Sequence, residues 1–151
     1  MPSVLIVCTA NICRSPMAMG ILQKRVETLP DWHIESAGTW SIIGQPAATH
    51  TIEILKIRGI SIPHHRSRVV TLDLLRRFNL ILTMETGQKE ALKVEFPEIA
   101  GRVYMVSEMV GEQYDISDPI GGPYEEFEKT AQELELIFEK GLDRIQKLAE
   151  P

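Results

Sequence analysis

The chain has 151 residues, 44% hydrophobic and 25% charged, which suits one soluble domain with a buried core. Its formal net charge of -5 argues against non-specific binding to nucleic acid or anionic membranes, so any positive field for an anionic ligand has to be local. No apolar run approaches the ~20 residues of a membrane span, and Met1-Pro2-Ser3 leads into the first strand without a signal peptide's charged region or cleavage site; a cytoplasmic, monomeric single domain over residues 1–151 is the expectation.

Residues 4–7 form a continuous apolar run rich in β-branched side chains, the pattern of a strand buried on both faces. The run ends at Cys8. A polar stretch, Thr9-Ala10-Asn11-Ile12-Cys13-Arg14-Ser15, separates it from Pro16 and a helix over 17–26, whose Met17, Ile21, Leu22 and Val26 repeat at helical spacing. Proline suits the first turn because it lacks an N–H that would be orphaned there. Residues 32–36 alternate and read as a second, more exposed strand, followed by Ala37-Gly38-Thr39. Helices are expected over 47–57 and, opened by Thr71, over a short stretch to Arg77, with an extended segment at 60–63 between them. Residues 80–83 read as a third buried strand, 85–94 as a helix and 103–106 as a fourth strand. A loop over 107–122 carries Asp115, Asp118 and Pro119. The last helix runs from near Pro123 to Ala149, with Phe127, Ala131, Leu134, Phe138, Ile145 and Leu148 on one face.

Strands alternating with helices imply right-handed crossovers and a three-layer α/β sandwich, a central parallel four-stranded sheet flanked by helices. Ligands bind such sheets beyond the carboxyl ends of the strands, where Cys8 lies. A short loop between a strand and a helix N-terminus can aim several N–H groups at one tetrahedral anion. The same donors favour the thiolate of a cysteine at its lip. Arg14 offers a planar fork for two phosphoryl oxygens, Ser15 a hydroxyl for the sulfur, and Asn11 a side chain able to pin the loop. Phosphoryl transfer to sulfur also needs a proton for the leaving oxygen, and Asp118 can approach from the same end of the sheet. No metal or cofactor is expected. Arginine and amides supply the charge, and the His64-His65 pair is too isolated to suggest zinc.

The motifs V-C-T-A-N-I-C-R-S-P-M-A, S-A-G-T, G-I-S-I-P-H-H-R-S-R and the late D-P resemble those of the low-molecular-weight protein tyrosine phosphatases, in the family's order over most of the chain. The resemblance implies two-step hydrolysis of a phosphoprotein or phosphopeptide, releasing inorganic phosphate. Cys8 attacks phosphorus to form a thiophosphate. Asp118 protonates the leaving phenol and then activates water. Arg14 holds the phosphoryl group, within a phosphate-binding loop of Thr9, Ala10, Asn11, Ile12, Cys13 and Ser15. Asn11, Ser36 and His65 match bracing positions. Cys13 matches a redox partner able to form a disulfide with Cys8; its alternative is a packing residue at the loop's base.

Two departures bear on substrate. Asp118-Pro119 is followed by Ile120-Gly121-Gly122 rather than by aromatic residues, a pattern like the bacterial branch that includes protein arginine phosphatases. In those enzymes threonine precedes the second loop cysteine; here Ile12 does, favouring an aryl phosphate over a guanidinium-phosphate. Phosphotyrosine is therefore the expected substrate and phosphoarginine the alternative. Ile120 and Trp40 are candidate walls for the substrate ring, Trp40 reading equally well as a partly buried packing residue. Lys56, Arg58, Arg66 and Arg68 read either as a solvated basic face or as an attractor of anionic peptides. A phosphocarrier module has no need of Arg14 and Asp118, and thioredoxin-linked arsenate reduction needs cysteines beyond Cys8 and Cys13.

Overall fold

A computed structural model describes residues 1–151. Four parallel strands, β1 (Ser3–Cys8), β2 (His33–Gly38), β3 (Leu80–Thr83) and β4 (Val103–Met105), lie in the order β2-β1-β3-β4. Every residue of β1 is buried, as its unbroken apolar run requires for a central strand. Successive side chains point to opposite faces. Val4, Ile6 and Cys8, with Leu80 and Leu82, enter the larger core beneath α1 (Arg14–Arg25), α2 (Thr49–Ile57) and α5 (Tyr124–Ala149). Leu5, Val7, Ile81 and Val103 face a smaller core closed by α3 (Leu72–Arg76), Phe78 and α4 (Thr86–Glu95). The result is the expected three-layer α/β sandwich.

Several boundaries differ from the sequence expectation. Helix α1 opens at Arg14 rather than Met17, because Met17 N already donates to Cys13 O at 3.2 Å and the anion loop runs directly into the first turn. β2 continues to Gly38, and α2 begins at Thr49. β4 stops at Met105; Val106, strand-like by composition, opens a 3₁₀ turn through Val110 within the expected loop. Ser107 Oγ closes that turn, accepting from Tyr114 N at 3.0 Å and donating to Tyr114 O at 2.9 Å. Gly38 has no room for a side chain: a Cβ there would lie 2.4 Å from Thr9 O. This close approach lets the end of β2 lean on the loop that follows β1.

Candidate active site

The loop between β1 and α1 folds around the Cys8 sulfur. Ser15 Oγ lies 3.0 Å from Cys8 Sγ, and Asn11 N–H donates to the sulfur at 3.3 Å. Asn11 takes the left-handed conformation, φ 59°, that a short polar side chain tolerates. Its fully buried amide is the hub of the cup. Nδ2 donates to Ser15 Oγ at 2.8 Å and to Ser36 Oγ at 3.0 Å, and Oδ1 accepts Arg68 N–H at 3.1 Å. His65 Nε2 donates to Asn11 O at 2.8 Å. Burial pushes the His65 imidazole below its ordinary value and outweighs the opposing bond to Asn11, and Arg68 and Arg66 push the same way as burial. The ring is therefore neutral at pH 7, with its proton on Nε2. The sequence-predicted braces Asn11, Ser36 and His65 thus meet at one point.

Arg14 is 2% exposed and enters the site from the first turn of α1. Nη1 donates to Glu85 Oε2 at 2.5 Å and to Ile116 O at 2.7 Å. Nη2 lies 3.5 Å from Asp118 Oδ2. Buried Nε has no partner within the protein, which suits an arginine whose remaining donors serve an oxyanion. Asp118, 104 positions from Arg14 in the chain, is thereby brought to the cup. Its Oδ1 accepts Ile120 N at 3.1 Å, and Gly121 (φ 78°) turns the chain away. Thr9 Oγ1 accepts from Gln88 Nε2 at 3.0 Å. Ile12 packs half-buried on the main core. Cys13 is buried at the base, and burial pushes its thiol up to about 12, the negative charges of Asp118 and Cys8 outweighing the lowering by Arg14.

Trp40 is 83% exposed, so it is not a packing residue; Ile120 is 52% exposed. The basic run reads differently in three dimensions. Arg58 is taken up by Glu128 and Glu135, and Arg68 by Glu35, leaving the segment much less positive than its sequence count. Three supporting residues were missed. Glu85 orients Arg14, while Gln88 Oε1 accepts Met84 N and Glu85 N and its amide reaches Thr9. Glu85 stands two residues beyond β3, at the strand ends where ligands bind, and that position was the available signal. The sequence-distant Ser41, which donates to Ala10 O at 2.7 Å, gave none.

The family model described as low molecular weight phosphotyrosine protein phosphatase matches residues 3–150. The chain is 35% identical over 146 residues to a probable low molecular weight protein-tyrosine-phosphatase, EpsP, of Ralstonia nicotianae, covering 97% of each. It is 33% identical over 144 residues to a protein-arginine-phosphatase of Geobacillus stearothermophilus, covering 95% of each. Among solved structures, the low molecular weight protein tyrosine phosphatase of T. tengcongensis superposes with a TM-score of 0.91 at 38% identity, over 95% of this chain and 99% of that one. With a cysteine and an arginine sharing one buried cup at the end of β1, and likeness along nearly its whole length, the chain belongs to the low molecular weight phosphotyrosine protein phosphatase family, a family of hydrolases.

Proposed function

We propose that the protein hydrolyses phosphotyrosine in proteins through a phosphocysteine intermediate, with residues 1–151 acting as one monomeric catalytic unit in the cytoplasm. The observation that carries this reading is the 3.5 Å approach of Asp118 to Arg14, which sets a carboxyl group beside the cup that holds the Cys8 sulfur. Cys8 attacks phosphorus in line with the phenolic leaving oxygen. Arg14 Nε and Nη2 and the amides of Thr9, Ala10, Asn11, Ile12 and Cys13 stabilise the equatorial oxygens. Asp118 delivers its proton to the phenolate and then takes one from the water that cleaves the S–P bond. Ser15 donates to the sulfur as it leaves, and Asn11, Ser36 and His65 hold the loop. Trp40 and Ile120 flank the ring, and Cys13 is the partner for an oxidised Cys8. The two free thiols suit a reducing compartment.

Likeness to protein-arginine-phosphatase favours phosphoarginine as the second reading. The apolar Ile12 side chain, which has no hydroxyl for a guanidinium, weighs against it. The test is turnover of phosphotyrosyl, phosphoseryl and phosphoarginyl peptides by the wild type and by Cys8→Ser. Phosphotyrosine is expected to turn over fastest, and Cys8→Ser to reduce it at least ~10⁴-fold. Retained turnover in Cys8→Ser removes the covalent mechanism, and a preference for phosphoarginine replaces the substrate.

A further inference from the structure

We propose that Ile42 and Ile43 extend Trp40 into an apolar ledge that binds an uncharged, apolar residue two or three places from the phosphotyrosine in the substrate chain. This rests on the tyrosine phosphatase reading and carries it from the ring to the sequence around it. Ile42 and Ile43 are each 75% exposed and Trp40 is 83% exposed. Single exposed hydrophobic residues are ordinary, but three large ones within four positions concentrate apolar surface on one loop. The patch also has no charged neighbours in its own segment, since no Asp, Glu, Lys or Arg lies between Glu35 and Glu53.

The segment is held in this exposed position. Trp40 N donates to Thr9 O at 3.0 Å, Ser41 Oγ to Ala10 O at 2.7 Å, and Ala48 N to Ile12 O at 2.8 Å, so the phosphate loop itself carries both ends of the segment from Trp40 to Ala48. Ser67 secures the middle. Its hydroxyl donates to Ile42 O and accepts Gln45 N at 2.9 Å; its carbonyl accepts Gly44 N and its N–H donates to Gln45 O, both at 2.8 Å. With both isoleucines presented on an anchored backbone, a ligand meets an apolar surface that loses little freedom on binding. Its occupant follows from its place. Phosphate held in the cup fixes the substrate's tyrosine, and the polypeptide must leave over the rim. Ile43 is three residues beyond Trp40, at most about 10 Å along the chain, a span that an extended substrate covers in three residues.

The experiment measures kcat/KM for p-nitrophenyl phosphate and for a set of phosphotyrosyl peptides carrying leucine or serine at each position up to three residues on either side. At one position, leucine is expected to be about tenfold better than serine, an advantage that burial of about 55 Å² of apolar surface supplies. Ile42→Ser/Ile43→Ser is expected to abolish this advantage while changing p-nitrophenyl phosphate turnover less than twofold. Ile42→Leu/Ile43→Leu should retain it, and equal melting temperatures check that all variants are folded. Equal rates for every peptide, with p-nitrophenyl phosphate turned over normally, overturn the ledge alone. No turnover of any aryl phosphate overturns the phosphatase reading and the ledge with it. A dimer in sedimentation that the serine variant dissociates, with peptide preference unchanged, assigns the patch to a second copy and also overturns the proposal.

Discussion

In the cup, Cys8, Asn11, Arg14 and Ser15 are each at most 2% exposed, and the Asn11 side chain makes three hydrogen bonds that tie the loop to β2 and to Arg68. Asp118, on the far side of Arg14, is 39% exposed, held by one bond to its own turn and by a 3.5 Å ion pair. The contrast matches two tasks. A tetrahedral anion is stabilised best by donors already in position, because none has to reorganise as charge develops. A proton donor has to act on a leaving group, a water and a product in succession, and a lightly tethered carboxylate on a glycine-flanked turn can adjust to each.

The sharpest test of this contrast separates rate from stability. Asp118→Ala should lower kcat for a phosphotyrosyl peptide by about 10²–10⁴-fold, the usual contribution of a general acid. Its melting temperature should stay within a few degrees, since Asp118 is itself 39% exposed and Arg14 keeps Glu85 as a carboxylate partner. Unchanged turnover removes Asp118 from the reaction. Asn11→Ala should do the reverse in emphasis. It leaves Ser36 Oγ and Arg68 N without their partner and forces alanine into a left-handed backbone, a combined cost of about 3 kcal/mol. For a chain of this size that is a drop of about 10 °C in melting temperature, with kcat falling at least about tenfold. If Asn11→Ala melts like the wild type, the cup is not the rigid partner in the comparison.

Cys13 sharpens the comparison from beneath the cup. With its thiol pushed up to about 12, it is protonated at neutral pH and is not the sulfur that peroxide attacks. In the redox role proposed for Cys13, peroxide oxidises Cys8 to the sulfenic acid, attack of the Cys13 sulfur with loss of water gives a disulfide, and a dithiol reduces it. Peroxide-inactivated wild type should therefore recover with dithiothreitol, while Cys13→Ala should lose recovery on prolonged exposure. The rescued fraction should rise between pH 7 and pH 8.5, since far below a value near 12 each pH unit gives tenfold more Cys13 thiolate. Irreversible loss in the wild type, with both thiols unpaired, rules out the protective role.

The strand, loop and helix around Cys8 were legible because their signals are local: an apolar run, a cysteine and an arginine six positions apart, then a proline in the first helical turn. The approach of Asp118 to the cup was legible through the Asp-Pro pair that the family resemblance marks. What escaped is tertiary. Glu85 meets Arg14 across 71 positions and Gln88 meets Thr9 across 79, pairings that no periodicity encodes. The pairing of Arg58 and Arg68 within the basic run from Lys56 to Arg68 escaped for the same reason, since the neutralising carboxylates come from α5 and β2. Val106 shows the limit of composition: a β-branched residue joins the 3₁₀ turn because Ser107 can trade hydrogen bonds with Tyr114.

The smallest expected effect concerns Ile12, in the loop proposed to hold the phosphate. Its carbonyl accepts Ala48 N at 2.8 Å, and its half-buried side chain packs on the main core. Ile12→Thr therefore keeps the backbone and the β-branch while adding one hydroxyl. Phosphotyrosine has nothing near its ring that needs such a donor or acceptor, whereas the guanidinium of phosphoarginine has N–H groups that do. One added hydrogen bond should raise the ratio of kcat/KM for phosphoarginyl over phosphotyrosyl peptide by about tenfold, with the phosphotyrosyl value itself falling less. Stability should fall by about 1 kcal/mol from the lost apolar contact, which a melting curve checks independently. An unaltered substrate ratio in a folded variant would mean that selectivity is set outside the cup, by the exposed rim and not by the buried loop.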